Sequence, residues 1–327
     1  MSSLRDMMGG AFGLDLPQID DFPYSESPCW TFVNSGRAAL EQILSALRPS
    51  GTVWVPRFAC DTLLQPMQRL GLPVRRYGIT DDLSPVLPDT EEGDIVILIN
   101  YFGLTGEAVA RAAASATVPC IIDATTALYA APLPGVPCFY SPRKFLAVPD
   151  GGIASAPFPL PLPQEEDRSA ERALALLLRT ESGAQAAADA AERAERELCG
   201  PPKRMSPLTR RLLAAQACQH STEARIANYK ILREALADIN RLSLPAEPPS
   251  APFCYPLVTG IPGLRDELID AGIALPLFWP EVIAATEADE TENRLARTLL
   301  PLPVDQRYTA EDMQRLIRCI LSPSASG

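Results

Sequence analysis

Histidine is nearly missing from this 327-residue chain, which carries His220 and no other. Serine–histidine triads, multi-histidine metal sites and His-Glu-x-x-His hydrolases need more imidazole, or imidazole in another setting. His220 closes Ala214-Ala215-Gln216-Ala217-Cys218-Gln219-His220, a stretch that reads as helix and makes it a structural or surface residue. Long apolar runs are absent as well: those over 95–99 and 173–178 are far too short to cross a bilayer. Positive charge is the scarcer sign, and a net charge of −11 argues against nucleic acid or an anionic membrane surface as the main partner. The first residues, Met1-Ser2-Ser3-Leu4-Arg5, lead into a glycine-containing and then acidic stretch without an apolar segment, so no secretory signal is expected. The eight cysteines include no Cys-x-x-Cys pair. The expectation is a cytoplasmic protein whose cysteines are small buried hydrophobes, with neither a disulfide framework nor a zinc site.

Lysine is rare too: Lys144, Lys203 and Lys230 are the only three, and arginine carries the rest of the positive charge. Lys144 lies in Phe139-Tyr140-Ser141-Pro142-Arg143-Lys144-Phe145, shortly before the turn Pro149-Asp150-Gly151-Gly152. An amine can lose its proton and attack a carbonyl, which a guanidinium cannot, so a lysine among so many arginines points to carbonyl chemistry. Upstream, Asp123 ends the apolar run Val118-Pro119-Cys120-Ile121-Ile122. Taken alone, Lys144 also reads as an ordinary surface lysine and Asp123 as a helix cap.

The first 30 residues have weak periodicity and read as an arm packed on the body or on a partner subunit. Regular structure begins with Asn34-Ser35-Gly36-Arg37, a Ser-Gly turn opening a helix over 38–47. Such a turn presents free N–H groups and the positive end of the helix dipole, and so can cup a phosphate. Strands follow over 52–56, 73–77, 94–100 and 119–123, with helices over 61–70 and 107–114 between them. Short buried strands with helical crossovers imply a mostly parallel sheet covered on both faces, with ligands at the carboxyl ends of the strands. Asp123 and the loop holding Tyr101-Phe102-Gly103 sit at such ends. Prolines preclude helix over 157–163. One or two surface helices are expected over 166–199 and a long helical pattern over 206–239. The tail reads as strand 253–258, helix 263–271, strand 274–278 and helix 309–321. No internal repeat is present.

In order and separation these landmarks resemble the DegT/DnrJ/EryC1/StrS sugar aminotransferases, which use pyridoxal 5′-phosphate (PLP) on fold type I. The likeness runs from about Trp30 to Leu321. Asn34-Ser35-Gly36-Arg37-Ala38-Ala39-Leu40 is similar to the family's phosphate turn, and Val53-Trp54-Val55-Pro56-Arg57-Phe58-Ala59-Cys60 to its strand-proline-aromatic segment. Ile122-Asp123-Ala124-Thr125-Thr126-Ala127 is similar to its Asp segment, and Ser141-Pro142-Arg143-Lys144 with Gly151-Gly152 to its lysine segment. Arg204-Met205-Ser206 and Pro301-Leu302-Pro303-Val304 match weaker landmarks.

The resemblance implies an α/β protein with a mostly parallel sheet in a large α/β/α domain (residues 31–240, with a helical insert about 164–200) and a small C-terminal α+β domain (246–327). It implies Lys144 as the Schiff-base lysine and proton shuttle, and Asp123 as the partner of the pyridine nitrogen. Ser35, Gly36, Arg37 and Ser141 would hold the phosphate, Thr126 would lie beside the cofactor, and Phe58 or Tyr101 against its ring. Arg37, Arg57, Arg143 and Arg204 are candidates for holding an anionic donor or acceptor. A homodimer and a ping-pong transamination from glutamate or glutamine to a keto-sugar or similar carbonyl are implied as well. The chain departs from the pattern in three places. Arg37 replaces a threonine, Thr126 replaces Gln or His, and Gly200-Pro201-Pro202-Lys203-Arg204 lacks the asparagine that reaches a neighbouring subunit's cofactor. Two rival readings remain open, a PLP-dependent lyase or dehydratase and a non-catalytic regulatory or scaffold protein. In the dehydratases of this superfamily a histidine stands at the lysine position.

Overall fold

The computed structural model describes residues 13–18, 22–25, 27 and 29–321, so most of the expected arm lies outside the described residues. Of its described part, Tyr24 stacks on Trp30 (4.7 Å between centroids) and donates its hydroxyl to the carbonyl of Leu128 at 2.7 Å.

The strongest strand signal, five consecutive branched apolar residues, becomes β4 (Ile95–Ile99), buried throughout. Side chains alternate across a strand, so Ile95, Ile97 and Ile99 enter one apolar core and Val96 and Leu98 a second core on the opposite face. Each such side chain contributes about 1.5–3 kcal/mol by leaving water, which holds β4 in the interior of the sheet, covered on both faces. β2 (Val53–Pro56), β3 (Val74–Tyr77), β5 (Cys120–Asp123) and β6 (Cys138–Tyr140) lie parallel to it. β7 (Gly152–Ser155) and β1 (Trp30–Val33) extend the sheet antiparallel beyond β6, giving the order β1-β7-β6-β5-β4-β2-β3. The mostly parallel sheet expected from the apolar runs is therefore present, with an antiparallel flank. Among the covering helices, α1 (Gly36–Leu47) packs Leu40, Ile43 and Leu44 into the first core, while α3 (Gly106–Ser115) packs Val109 and Ala112 into the second.

The expected helix over 61–70 is a 3-10 turn, Asp61–Leu64, followed by α2 (Gln65–Leu70) with Pro66 in its first turn, where the missing N–H costs nothing. The acidic, alanine-rich stretch forms α4 (Ala170–Ala186) and α5 (Ala188–Glu197). Gly183 breaks α4 near its end with φ 84 and ψ −177. The long helical pattern over 206–239 divides into α6 (Pro207–Ala214), capped by the Ser206 hydroxyl, and α7 (Cys218–Leu236). His220 is exposed on α7.

The C-terminal part differs more. β8 (Tyr255–Val258) and α8 (Leu264–Asp270) form as expected, but residues 274–278 pair with no described strand. Pro276 removes an N–H from that segment. The partner of β8 is instead β9 (Leu299–Leu302), reached through α9 (Pro280–Ala285) and α10 (Thr291–Thr298). Pro256 and Pro301 stand opposite one another in this ladder. Facing prolines at a non-hydrogen-bonded pair leave the remaining rungs intact, which is how both strands tolerate them. The chain then closes with α11 (Ala310–Leu321).

Candidate active site

The parallel strands end along one edge, and their order places the loops after β6, β5, β4 and β2 side by side. That edge opens into a cavity of about 280 Å³ whose lining includes Ser35, Gly36, Arg37, Cys60, Asp123, Thr125, Thr126, Ser141, Arg143, Lys144, Glu195 and Trp279. Lys144 closes the 3-10 turn Pro142–Lys144 after β6, and its Nζ donates to Thr125 Oγ1 at 2.9 Å. The amine is open to the cavity yet ringed by protein. Burial pushes its pKa below the ordinary lysine value, and the Asp123 carboxylate offsets this only in part. Asp123, the last residue of β5, is 6% exposed and accepts from the Thr125 amide at 2.8 Å. Burial lifts its carboxyl above the usual range, against the pull of the Lys144 charge and of hydrogen bonds from Thr125.

On the other side of the cavity Ser35 caps α1, its Oγ accepting from the Ala38 amide at 3.1 Å. Gly36 permits close packing there: a Cβ would meet Thr125 Cγ2 at 3.3 Å and Ser141 Cβ at 3.5 Å. This turn is held against the lysine segment by the Gly151 amide, which donates to the Asn34 carbonyl at 2.8 Å, and by Gly152, where a Cβ would lie 2.0 Å from the Ser35 carbonyl oxygen. Behind it a buried network fixes the same joint. Asp150 accepts from the Ser206 amide at 3.0 Å, from the Ser206 hydroxyl at 3.1 Å and from the Thr209 hydroxyl, and lies 3.8 Å from Arg172, which also pairs with Asp167 at 2.6 Å.

Of the residues expected at the site, Ser35, Gly36, Arg37, Asp123, Thr126, Ser141, Lys144 and Arg143 line this cavity. Thr126 spends its hydroxyl on the loop after β4, donating to the Asn100 carbonyl at 3.2 Å and accepting from the Phe102 amide at 3.1 Å. Phe58 and Tyr101 do not line it. Both are buried behind the wall, with the Tyr101 hydroxyl donating to the Phe58 carbonyl at 2.7 Å. Arg57 is exposed and Arg204 half-buried, and neither reaches the cavity lining.

Three lining residues carry no sequence signal of their own. Thr125 positions the lysine. Trp279 supplies the aromatic surface that Phe58 and Tyr101 do not, in a left-handed backbone (φ 53) that an indole adopts only where packing enforces it. Its ring stands edge-on to Phe58 at 4.5 Å and nearly parallel to Phe102. Glu195, on α5, bridges Arg37 (2.7 Å) and Arg143 (3.1 Å). Burial pulls its carboxyl up, but Arg143 and Arg37 more than offset this and hold it below the usual range. Only chain-distant packing brings these groups together. Among the described residues no cluster of His, Cys, Asp and Glu is arranged to hold a metal ion, and no helix is long and apolar enough to cross a membrane.

No family model and no curated protein matches the sequence. Solved structures do match in three dimensions. The sugar aminotransferase CalS13 from Micromonospora echinospora superposes with a TM-score of 0.63 at 21% identity, over 90% of this chain and 88% of its own. A DegT DnrJ EryC1 StrS aminotransferase from Brucella abortus gives 0.61 at 17% identity, over 89% and 85%. The E. coli GDP-4-keto-6-deoxy-D-mannose-3-dehydratase with bound hydrated PLP gives 0.61 at 14%, over 89% and 87%. At these identities the likeness is one of fold: the chain shares the fold of these aminotransferases and of the dehydratase.

Proposed function

We propose that the protein is a PLP-dependent aminotransferase that carries an amino group from glutamate or glutamine to a keto-sugar or related carbonyl acceptor by a ping-pong reaction. The observation that carries this reading is the meeting of Lys144, Asp123 and the amino end of α1 in one cavity. The residues present fit the cofactor. A buried carboxylate that burial destabilises gains from a cationic ring nitrogen, a phosphate suits the Ser35-Gly36 turn and its arginines, and the cavity volume is near the lower end of small-ligand sites, about 300 Å³. PLP would supply an electrophilic carbonyl and an electron sink.

The chain's own residues do the rest. Burial lowers the pKa of the Lys144 amine, the direction that a nucleophile and proton carrier needs. Thr125 fixes the direction of that nitrogen, and Asp123 would favour a protonated ring nitrogen by its charge. The Ser35-Gly36 turn, Ser141, Arg37 and Arg143 would take the phosphate, while Trp279 walls the cavity from the C-terminal part of the chain. The presence of Trp279 in that wall supports residues 246–327 acting as a small domain over the cleft. The same proposal includes a homodimer, which rests on the family resemblance. Lys144 weighs against the dehydratase reading, since those enzymes place histidine at that position.

The test is the visible absorption spectrum of the purified chain with PLP, before and after glutamate or glutamine, beside Lys144→Ala. A visible band that depends on Lys144 and is discharged by an amino donor is the expected result. No band would remove the cofactor and leave the scaffold reading, and a band that neither donor discharges would remove the proposed donors.

A further inference from the structure

Building on the proposed cofactor reading, we propose that Glu195 is a resident anion in the phosphate seat, which an incoming phosphate monoester must displace from Arg37 and Arg143. Glu195 Oε1 lies 2.7 Å from Arg37 Nη2, and Oε2 lies 3.1 Å from both Nη1 and Nη2 of Arg143. A carboxylate set between two guanidinium forks satisfies the donors that two phosphate oxygens would otherwise satisfy. These arginines flank the Ser35-Gly36 turn at the start of α1 and Ser141, so the carboxylate closes the anion-binding end of the cavity.

Charge makes simultaneous occupancy unfavourable. The cavity lining holds Arg37, Arg143 and Lys144 against Asp123 and Glu195. With Glu195 in place a phosphate dianion meets a lining of only one net positive charge, and with Glu195 withdrawn the three cations balance the dianion and Asp123. The two arginines are mostly buried, with side chains 11% and 25% exposed, whereas Glu195 is 52% exposed and free to swing outward. Its departure does not release α5. Glu197 remains paired with Arg172 at 3.3 Å, and the Cys199 carbonyl accepts from Arg69 at 3.2 Å. The phosphate end of the site therefore has two states that differ in one side chain, and empty protein keeps its arginines paired.

Calorimetric titration of the full chain with four probes tests this: inorganic phosphate, PLP, pyridoxal and glutamate. Glu195→Gln should tighten inorganic phosphate and PLP by a common factor of about ten, the scale that release of two partly exposed ion pairs can return. Pyridoxal, which lacks the phosphate, should bind unchanged. Glu197→Gln loosens α5 by weakening its pair with Arg172, does not touch Arg37 or Arg143, and should leave phosphate affinity at the wild-type value. Weaker or unchanged phosphate binding in Glu195→Gln overturns the proposal, because Glu195 then orients the arginines and does not compete for them. Equal tightening in Glu197→Gln overturns it in favour of helix mobility, and tightening of glutamate alone assigns the seat to a substrate carboxylate. The Lys144-dependent visible band is read separately, so loss of the cofactor reading and loss of the Glu195 competition are distinguishable.

Discussion

Gly152→Ala should damage both the fold and the phosphate seat, and the structure sets the scale. A Cβ there would stand 2.0 Å from the Ser35 carbonyl oxygen, 2.2 Å from its carbon and 2.7 Å from the Gly36 nitrogen. All three are backbone atoms, so no rotamer change relieves the clash. To reach the ordinary 3.4 Å contact, β7 and the Ser35-Gly36 turn must separate by about 1.4 Å. Overpacking of this kind costs about 1–3 kcal/mol. The adjoining hydrogen bond from Gly151 N to the Asn34 carbonyl, 2.8 Å long, is worth about 1 kcal/mol more if it breaks. The expected loss is about 3 kcal/mol, read as a lower urea midpoint at unchanged slope. Each hydrogen bond to a charged group that the separated turn can no longer offer is worth about 1.5–3 kcal/mol, so inorganic phosphate affinity should fall by roughly 10- to 100-fold. Gly200→Ala, whose Cβ would find its nearest neighbour at 3.8 Å, serves as the control and should stay within about 0.5 kcal/mol of wild type. A Gly152→Ala loss below about 1 kcal/mol with normal phosphate affinity would falsify the claim that this contact sets the turn against the lysine segment.

Two titration predictions follow from the same cavity and its support. The Asp123 carboxylate is the main influence opposing burial at Lys144, so Asp123→Asn should shift the midpoint of Lys144 reductive methylation by formaldehyde to lower pH, followed by peptide mass spectrometry; an unchanged or raised midpoint refutes the coupling. Burial lifts Asp150 to about 6, against the hydrogen bonds from Ser206. A carboxyl raised in the folded state favours folding while protonated, and that contribution is lost as pH climbs through 6. Relative to Asp150→Asn, wild-type unfolding free energy should therefore fall between pH 4 and 7 by on the order of 3 kcal/mol, measured by urea titration at each pH, and parallel curves for the two proteins would refute the assignment.

What the sequence made legible follows from where each signal is stored. β4 and β5 are continuous apolar runs because both faces of the sheet are covered, so local composition reports their burial directly. Lys144 and Asp123 were visible because a residue type rare in this chain and a charge at the end of an apolar run are also local signals. The segment over 274–278 misled by the same logic, since an apolar stretch containing Pro276 matches a strand in composition but finds no ladder partner. β9 escaped notice for the opposite reason. Pro301 argues against a strand until its register with Pro256 shows that no N–H is required there. Glu195 was beyond local reading altogether. It lies in an acidic, alanine-rich helix whose neighbours Glu192 and Arg196 pair with each other at the surface, and nothing in that pattern separates it from them. Its distinction arises only when α5 packs across the start of α1 and the turn after β6. Charge that is ordinary in sequence becomes part of the site once the fold confines it between two cations.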